Sequence, residues 1–263
     1  MLDLNSVLKN AKKWAREVGK IQRQNFRKNN LLINTKSTGI DLVTEVDKLS
    51  EEYILKAIKE NYPDHQILSE ESGRQDKKSD YLWIIDPLDG TTNYAQGIPI
   101  FVISIALKYQ DETVIGVIYA PMLDQMFEAI KGQKAYMNGE EIKVGIKKEL
   151  NQCVLASGFP YDRSSNQDNN ANYFAHLVPK VRGLRRMGAA AYDLANVAAG
   201  ILDGYWELNL SPWDVAAGLL ILEEAGGKVI YLPEKRGISL VAGNEVIVKK
   251  IYDELKVVDS KKI

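Results

Sequence analysis

Cysteine is almost missing from this 263-residue chain: Cys153 stands alone, which rules out an internal disulfide and every zinc site built from several thiolates. Histidine is nearly as scarce. His65 and His176 are too few for a histidine-rich zinc, copper or iron centre, so any metal must be held by oxygen, which favours magnesium, manganese or calcium. Net charge is lacking too: 34 Lys and Arg against 35 Asp and Glu leave a formal −1, with no bulk attraction to nucleic acid or an anionic membrane. Apolar runs such as Val215–Leu222, broken by Gly218, fall far short of the ~20 residues that cross a bilayer. The opening Met1-Leu2-Asp3-Leu4-Asn5-Ser6 lacks the apolar core of a signal peptide. A cytoplasmic protein with no membrane attachment and no strong nucleic-acid binding is expected.

What is present reads as a folded protein, with 45% hydrophobic and 26% charged residues. The length allows one large domain or two lobes, since domains usually run to ~100–200 residues. Leu4, Val7, Leu8, Ala11, Trp14, Ala15, Val18 and Ile21 recur at helical spacing and predict a long amphipathic first helix. A short strand at Leu31–Ile33 and a polar connector, Lys36–Asp41, follow. Thr44 reads as the N-cap of a second helix, with Asp47 at its third position. Beyond Pro63 the pattern shortens to strand-length runs: Gln66–Ser69, Tyr81–Ile85, Ile100–Leu107, Thr113–Tyr119 and Gln125–Ala129, with a hairpin signal at Asn138-Gly139. That makes a first lobe, residues 1–147, of two helices on a mostly antiparallel sheet. In residues 148–263 strands and helices alternate. The strands are Val154–Ala156, Arg182–Arg186 and Tyr205–Leu208, and Asp162–Asn172 is a polar loop before a helix that runs to Val178. Ala189–Ala199 is a helix of small residues, and Ser211-Pro212-Trp213-Asp214 starts another.

Acidic side chains recur where the chain changes direction. Glu70-Glu71 follows one strand, and Asp86-Pro87-Leu88-Asp89-Gly90-Thr91-Thr92-Asn93 follows the most apolar one. Asp47 and Asp214 each lie in the first turn of a helix. Singly, each has an ordinary explanation: capping boxes for Asp47 and Asp214, turn chemistry for Asp-Pro and Asp-Gly, solvated surface for Glu70-Glu71. Together they point elsewhere. Asp86 and Asp89, three apart in a tight turn, can converge on one hard cation along with the Leu88 carbonyl. Adding Glu70 and Asp214 gives enough negative charge for more than one ion, and without cations these groups would resist ionising together. A helix beginning at Gly90-Thr91-Thr92 would set free amides and hydroxyls beside that charge, an anion cradle suited to phosphoryl oxygens.

Three stretches resemble the inositol monophosphatase family of magnesium-dependent, lithium-sensitive sugar phosphatases. They are Asp41–Asp47 with Ile67–Gly73, Trp83–Tyr94, and Pro212–Gly218 with Glu223–Gly227, in the family's order. The resemblance implies a layered αβαβα sandwich and a homodimer. It implies that Glu70, Asp86 and the Leu88 carbonyl bind an activating metal, that Asp86, Asp89 and Asp214 bind a second, and that a third ion rests near Glu70. Magnesium would be the metal, with manganese a substitute. Thr91, hydrogen-bonded to Asp47, would orient and help deprotonate the attacking water. Glu207 matches the position that hydrogen-bonds sugar hydroxyls, the Ala190 backbone approaches the ring, Arg185 matches an arginine near the pocket, and Lys36 is placed to close over the metals. Arg182 and Arg186 read as surface residues.

Within the superfamily, Asp-Gly-Thr-Thr-Asn departs from the Asp-Gly-Thr-Lys-Gly of nucleotide phosphatases and the Asp-Gly-Ser-Ser of the main fructose bisphosphatases. The inositol branch fits best, with a small phosphorylated polyol or sugar as substrate. Hydrolysis of fructose 1,6-bisphosphate or a dinucleotide phosphate on the same metals is the alternative enzyme. A third reading is an interaction protein, since some bacterial relatives associate with transcription or ribosome-assembly machinery. Tyr161–Asn172, rich in Asp, Asn and Ser, is expected to border the pocket.

Overall fold

The computed structural model describes residues 2–28, 33–35, 42–233 and 236–260. Helix α1 (Leu4–Asn25) is capped by Asp3, whose carboxylate accepts from the Asn5 N–H, and it buries Val7, Ala11, Trp14, Ala15 and Val18 on one stripe. Strands β1 (Ile33–Thr35) and β2 (Leu42–Thr44) form a separate antiparallel pair before α2 (Glu45–Asn61). The strand expected at Leu31–Ile33 thus starts at Ile33, while Leu31, Leu32 and the Lys36–Asp41 connector lie outside the described residues.

A large sheet is built from β3 (Gln66–Ser69), β4 (Gly73–Gln75), β5 (Tyr81–Asp89), β6 (Val102–Tyr109), β7 (Glu112–Ala120), β8 (Gln125–Ile130), β9 (Ala135–Met137) and β10 (Glu140–Glu141). Helix α3 (Thr91–Gln96) interrupts the path between β5 and β6. The strand order is β10-β9-β8-β7-β6-β5-β3-β4, antiparallel except where β3 runs parallel to β5. A smaller sheet follows, built from β11 (Val154–Ser157), β12 (Gly183–Arg185), β13 (Gly204–Leu210), β14 (Lys228–Tyr231) and β15 (Ile238–Gly243) in the order β12-β11-β13-β15-β14. Its helices are α4 (Ala171–Leu177), α5 (Ala190–Ala198), α6 (Pro212–Glu224) and α7 (Glu245–Asp259). Asn172, expected in the polar loop, therefore lies in α4.

Three cores define the layering. Helices α1 and α2 pack Trp14, Val18, Ile54 and Ile58 on one face of the large sheet, against Trp83, Ile105 and Val117. Helices α5 and α6 fill the space between the two sheets, where Leu194, Val197, Leu220 and Ile221 meet Ala106 and Ile118 on one side and Tyr205 and Leu240 on the other. Helices α4 and α7 cover the outer face of the small sheet through Leu177, Ile247, Ile251 and Leu255. The result is the αβαβα sandwich. Gly116 makes the central layer tight: a Cβ there would sit 2.7 Å from the Ala217 carbonyl, so α6 lies directly on β7. Among the described residues no helix is long and apolar enough to cross a membrane.

Two expectations change here. Strand β6 begins at Val102 rather than Ile100, whose N–H instead bonds the Ile98 carbonyl. Strand β5 runs on through Asp86-Pro87-Leu88 to Asp89, where a tight turn was expected. The ladder with β6 breaks between Asp86 and Asp89, because Pro87 has no N–H to give it and the strand bulges there.

Candidate active site

The C-terminal ends of β3, β5 and β13 and the first turns of α3, α5 and α6 surround a cavity of about 500 Å³. Glu70, Asp86, Leu88, Asp89, Gly90, Thr91, Ala190, Glu207 and Asp214 all line it. The bulge in β5 turns both Asp86 and Asp89 toward it, although period-2 alternation would have put residues three apart on opposite faces. Gly90 then takes φ 99°, and a Cβ there would lie 3.0 Å from the Ile100 carbonyl, so only glycine passes from β5 into α3 at this point.

Three of the aspartates are partly anchored by the backbone. Asp86 Oδ1 accepts from Leu88 N–H at 3.0 Å, and Asp214 Oδ2 accepts from Ser211 N–H at 2.7 Å. Asp89 Oδ2 accepts from Ala191 N–H at 2.7 Å, so the N-terminus of α5 holds an acid of the large sheet. Asp47 does not line the cavity but stands behind Thr91. Its Oδ2 takes the capping contacts, from Thr44 N–H at 2.9 Å and Thr44 Oγ1 at 2.5 Å, while its Oδ1 lies 2.9 Å from the Thr91 hydroxyl. Capping and a role beside Thr91 therefore coexist, one on each oxygen. The same hydroxyl lies 3.1 Å from the Leu88 carbonyl, its alternative acceptor.

The electrostatics follow from burial. Burial, then repulsion from Glu70, Asp89 and Asp214, raises the Asp86 carboxyl well above the carboxylate range. Burial raises Asp214 in the same way, with Asp89 and Glu70 adding to it. Asp89 is pushed up to about 7 by burial, against the pull of the Ala191 N–H. Glu207, on β13, is also pushed up to about 7 by burial, opposed by the Tyr205 hydroxyl and the Arg186 charge. Tyr205 donates to Glu207 Oε2 at 2.5 Å, and a Cβ on Gly158 would lie 2.1 Å from Glu207 Oε1. A tyrosine on one side and a bare backbone on the other fix that carboxylate.

As a donor set this cluster suits a hard divalent cation: the groups are oxygens only, mostly buried, and crowded enough that they need positive charge to ionise together. Among the described residues no three carboxylates are already drawn into a closed cage.

Two expected residues lie elsewhere. Thr92 is half-buried in the first turn of α3 and off the cavity wall. Arg185 is exposed, and its guanidinium donates only to the neighbouring Leu184 carbonyl. Arg186 is exposed, as expected, and it also lines the cavity. Strand β12 ends at Arg185, and the next residue points the other way. Lys36 lies outside the described residues. Tyr161 and Asp162 of the polar loop line the mouth, where Arg236 bonds Asp162 Oδ2 and, at 2.6 Å, the Asp168 carbonyl. Asp193, Tyr205 and Gly158 were missed. The one available signal was Asp193, a lone acid in the helix Ala-Ala-Tyr-Asp-Leu-Ala-Asn-Val-Ala.

The sequence profile of the inositol monophosphatase family matches residues 3–259. The chain belongs to that family. Family members share the fold closely: an inositol monophosphatase structure from Anabaena (Nostoc) superposes with a TM-score of 0.86 at 41% identity, covering 97% of each chain. The protein named fructose-1,6-bisphosphatase/inositol-1-monophosphatase from Aquifex aeolicus is 40% identical over 94% of both chains. The one named Nus factor SuhB from Pasteurella multocida is 40% identical over 96% of this chain and 97% of its own. As a member the chain is a phosphatase, in a family that is generally metal-dependent.

Proposed function

We propose that the protein hydrolyses inositol monophosphate or a similar small polyol or sugar phosphate by in-line attack of water on phosphorus. The observation that carries this reading is the gathering of Glu70, Asp86, Leu88, Asp89, Thr91 and Asp214 on one cavity wall from three separate stretches of chain. Glu70, Asp86, Asp89, Asp214 and the Leu88 carbonyl would hold two or three magnesium ions, with manganese able to replace them. Bound magnesium supplies charge neutralisation for the phosphoryl oxygens and acidifies water. The chain's own part begins at Thr91. While its O–H donates to Asp47 Oδ1, its oxygen accepts a proton from the attacking water, so the proton lost by water passes to Asp47. Burial raises the Asp47 carboxyl, against the bonds from Thr44 and Thr91, and so favours its taking that proton. The amides of Gly90 and Thr91 at the start of α3 face the phosphate, and Glu207 with the Ala190 backbone receives the polyol. Breakage of the ester P–O bond leaves an alkoxide, which takes a proton to give the alcohol and inorganic phosphate.

A phosphate-release panel across inositol, glycerol, fructose and adenosine phosphates, run with magnesium, with chelator and with lithium, tests this. Polyol monophosphates should lead, chelation should stop turnover, and lithium should inhibit. Equal turnover in chelator would overturn the metal assignment, and no release from any polyol monophosphate would overturn the substrate class.

A second reading, fructose 1,6-bisphosphate, is favoured by the Aquifex aeolicus relative's name and by Arg186 in the cavity. It requires Arg186→Ala to raise KM for the bisphosphate selectively. A non-catalytic role, suggested by the Nus factor name of the Pasteurella multocida relative, requires a cellular phenotype that survives Asp86→Asn.

A further inference from the structure

One side chain on the cavity wall does none of the work described above. Asp193 lies in the first turn of α5, is 1% exposed, and its Oδ1 has no hydrogen-bond partner among the described residues. Packing does not explain it. Its neighbours in the helix, Ala191, Leu194 and Ala195, are wholly buried apolar residues, and an aliphatic side chain would fill the same place without desolvating a carboxylate. A buried acceptor left without a donor is costly and survives where something else brings the donor.

The surroundings define that donor. Burial, then the like charges of Glu207 and Asp89, raises the Asp193 carboxyl well above the carboxylate range, and Arg186 is the cation that opposes this. Arg186 is held close above the turn before α5, where its Nη1 would meet a Cβ on Gly188 at 2.7 Å. Two carboxyl groups beside one guanidinium make this end of the cavity rich in oxygen acceptors. A second phosphate would bring its own charge against those oxygens, whereas neutral hydroxyls can donate to them. Glu207 is already fixed through Tyr205 and Gly158, so Asp193 adds a second acceptor at the same end.

We propose that Asp193 is a specificity-determining residue that, with Glu207, accepts hydrogen bonds from hydroxyls at the polyol end of the substrate. It thereby selects polyol monophosphates over bisphosphates and over esters without hydroxyls. This rests on the polyol phosphatase reading above.

The test measures kcat and KM of the wild type, Asp193→Asn and Asp193→Ala with inositol 1-phosphate and with phenyl phosphate, which has no free hydroxyl, at saturating magnesium. Asn keeps the size and one acceptor. The expected result in Asp193→Asn is a KM for inositol 1-phosphate raised roughly tenfold, the loss of one hydrogen bond to a charged group, with kcat within about twofold. Asp193→Ala should raise it further. In both variants the ratio of kcat/KM for inositol 1-phosphate to that for phenyl phosphate should fall by about the same factor. Equal losses on both substrates, with a lower Tm, would assign Asp193 a structural role and overturn the proposal. Unchanged KM would also overturn it while leaving the polyol phosphatase reading intact. A wild type that cleaves phenyl phosphate but no polyol monophosphate would defeat that reading and the proposal together.

Discussion

At the end of the cavity under Asp86 the backbone answers part of the charge of each aspartate, whereas at the end under Glu207 it leaves much of that to an incoming group. Asp47, Asp86, Asp89 and Asp214 each accept a backbone N–H, from Thr44, Leu88, Ala191 and Ser211. Among the described residues Glu207 has only the Tyr205 hydroxyl and Asp193 Oδ1 has no partner. The first arrangement fixes oxygens against their own repulsion and is preorganised for charge. The second keeps acceptors open and is suited to a ligand that brings donors. Substitutions at the two ends should therefore fail in different ways.

The largest effect is expected at the first end. Asp86 is 1% exposed and is repelled by three neighbouring acids, so Asp86→Asn should lower kcat by roughly a thousandfold or more, the several kcal/mol that metal-assisted charge stabilisation is worth. The same change should raise Tm in chelator, because it removes a buried charge from a repulsive cluster. A variant that unfolds in chelator would break the contrast, since Asp86 would then be holding the bulge of β5 together.

Next in size is the Thr91–Asp47 pair. Thr91→Ala and Asp47→Asn should each reduce kcat by about a hundredfold with KM little changed, in the range for a lost proton-transfer group. The double variant should be scarcely worse than either alone, as a shared path requires. Asp47→Asn should also cost ~1 kcal/mol of stability, because Asp47 Oδ2 completes the cap of α2. Additive losses in kcat would separate the two residues.

The same contrast explains what the sequence could disclose. Asp47, Glu70, Asp89 and Asp214 stand at element ends, with Asp86 at the bulge just before one, and helix starts and strand ends are marked locally by caps, Pro and Gly. Helix α1 and strand β7 announced themselves by period. The bulge in β5 was hidden because Asp-Pro and Asp-Gly signal a turn equally well, and only pairing with β6 shows that the strand continues to Asp89. The second end depends on contacts between distant elements. Gly158 matters only because β11 lies beside β13, and Tyr205 only because it shares a face with Glu207. Choosing Arg186 over Arg185 required knowing where β12 stops, a boundary that local pattern sets no closer than a few residues.

That choice gives a smaller, sharper test. Both arginines are exposed, but Arg186 lines the cavity and opposes the charges of Glu207 and Asp193, whereas Arg185 lies off it and bonds its own neighbour. Arg186→Ala should shift KM by about three- to tenfold, the range of a partly screened charge contact, with kcat nearly preserved. Arg185→Ala should leave both constants within error. Matching effects would mean that β12 presents the opposite face to the cavity in solution.

The smallest effect, and the one that bears on both ends at once, is the pH dependence of stability without metal. Asp89 and Glu207 are each pushed up to about 7, from ordinary values of 3.8 and 4.5. Raised carboxyl values mean that the folded chain holds protons that the unfolded chain has released. Stability from these groups is therefore complete below about pH 4 and is lost as pH climbs toward about 7. In chelator, Tm should fall by a few degrees between pH 5 and pH 8, since ~1 kcal/mol moves Tm by roughly 2–4 °C in a chain of this size. Magnesium should return more at pH 8 than at pH 5, because cations bind the ionised cluster and must displace protons from the other. Asp89→Asn should remove most of the magnesium response, while Glu207→Gln should flatten the slope in chelator and leave that response in place. If the two variants instead behave alike, the cavity has one continuous acidic wall and the division between its ends fails.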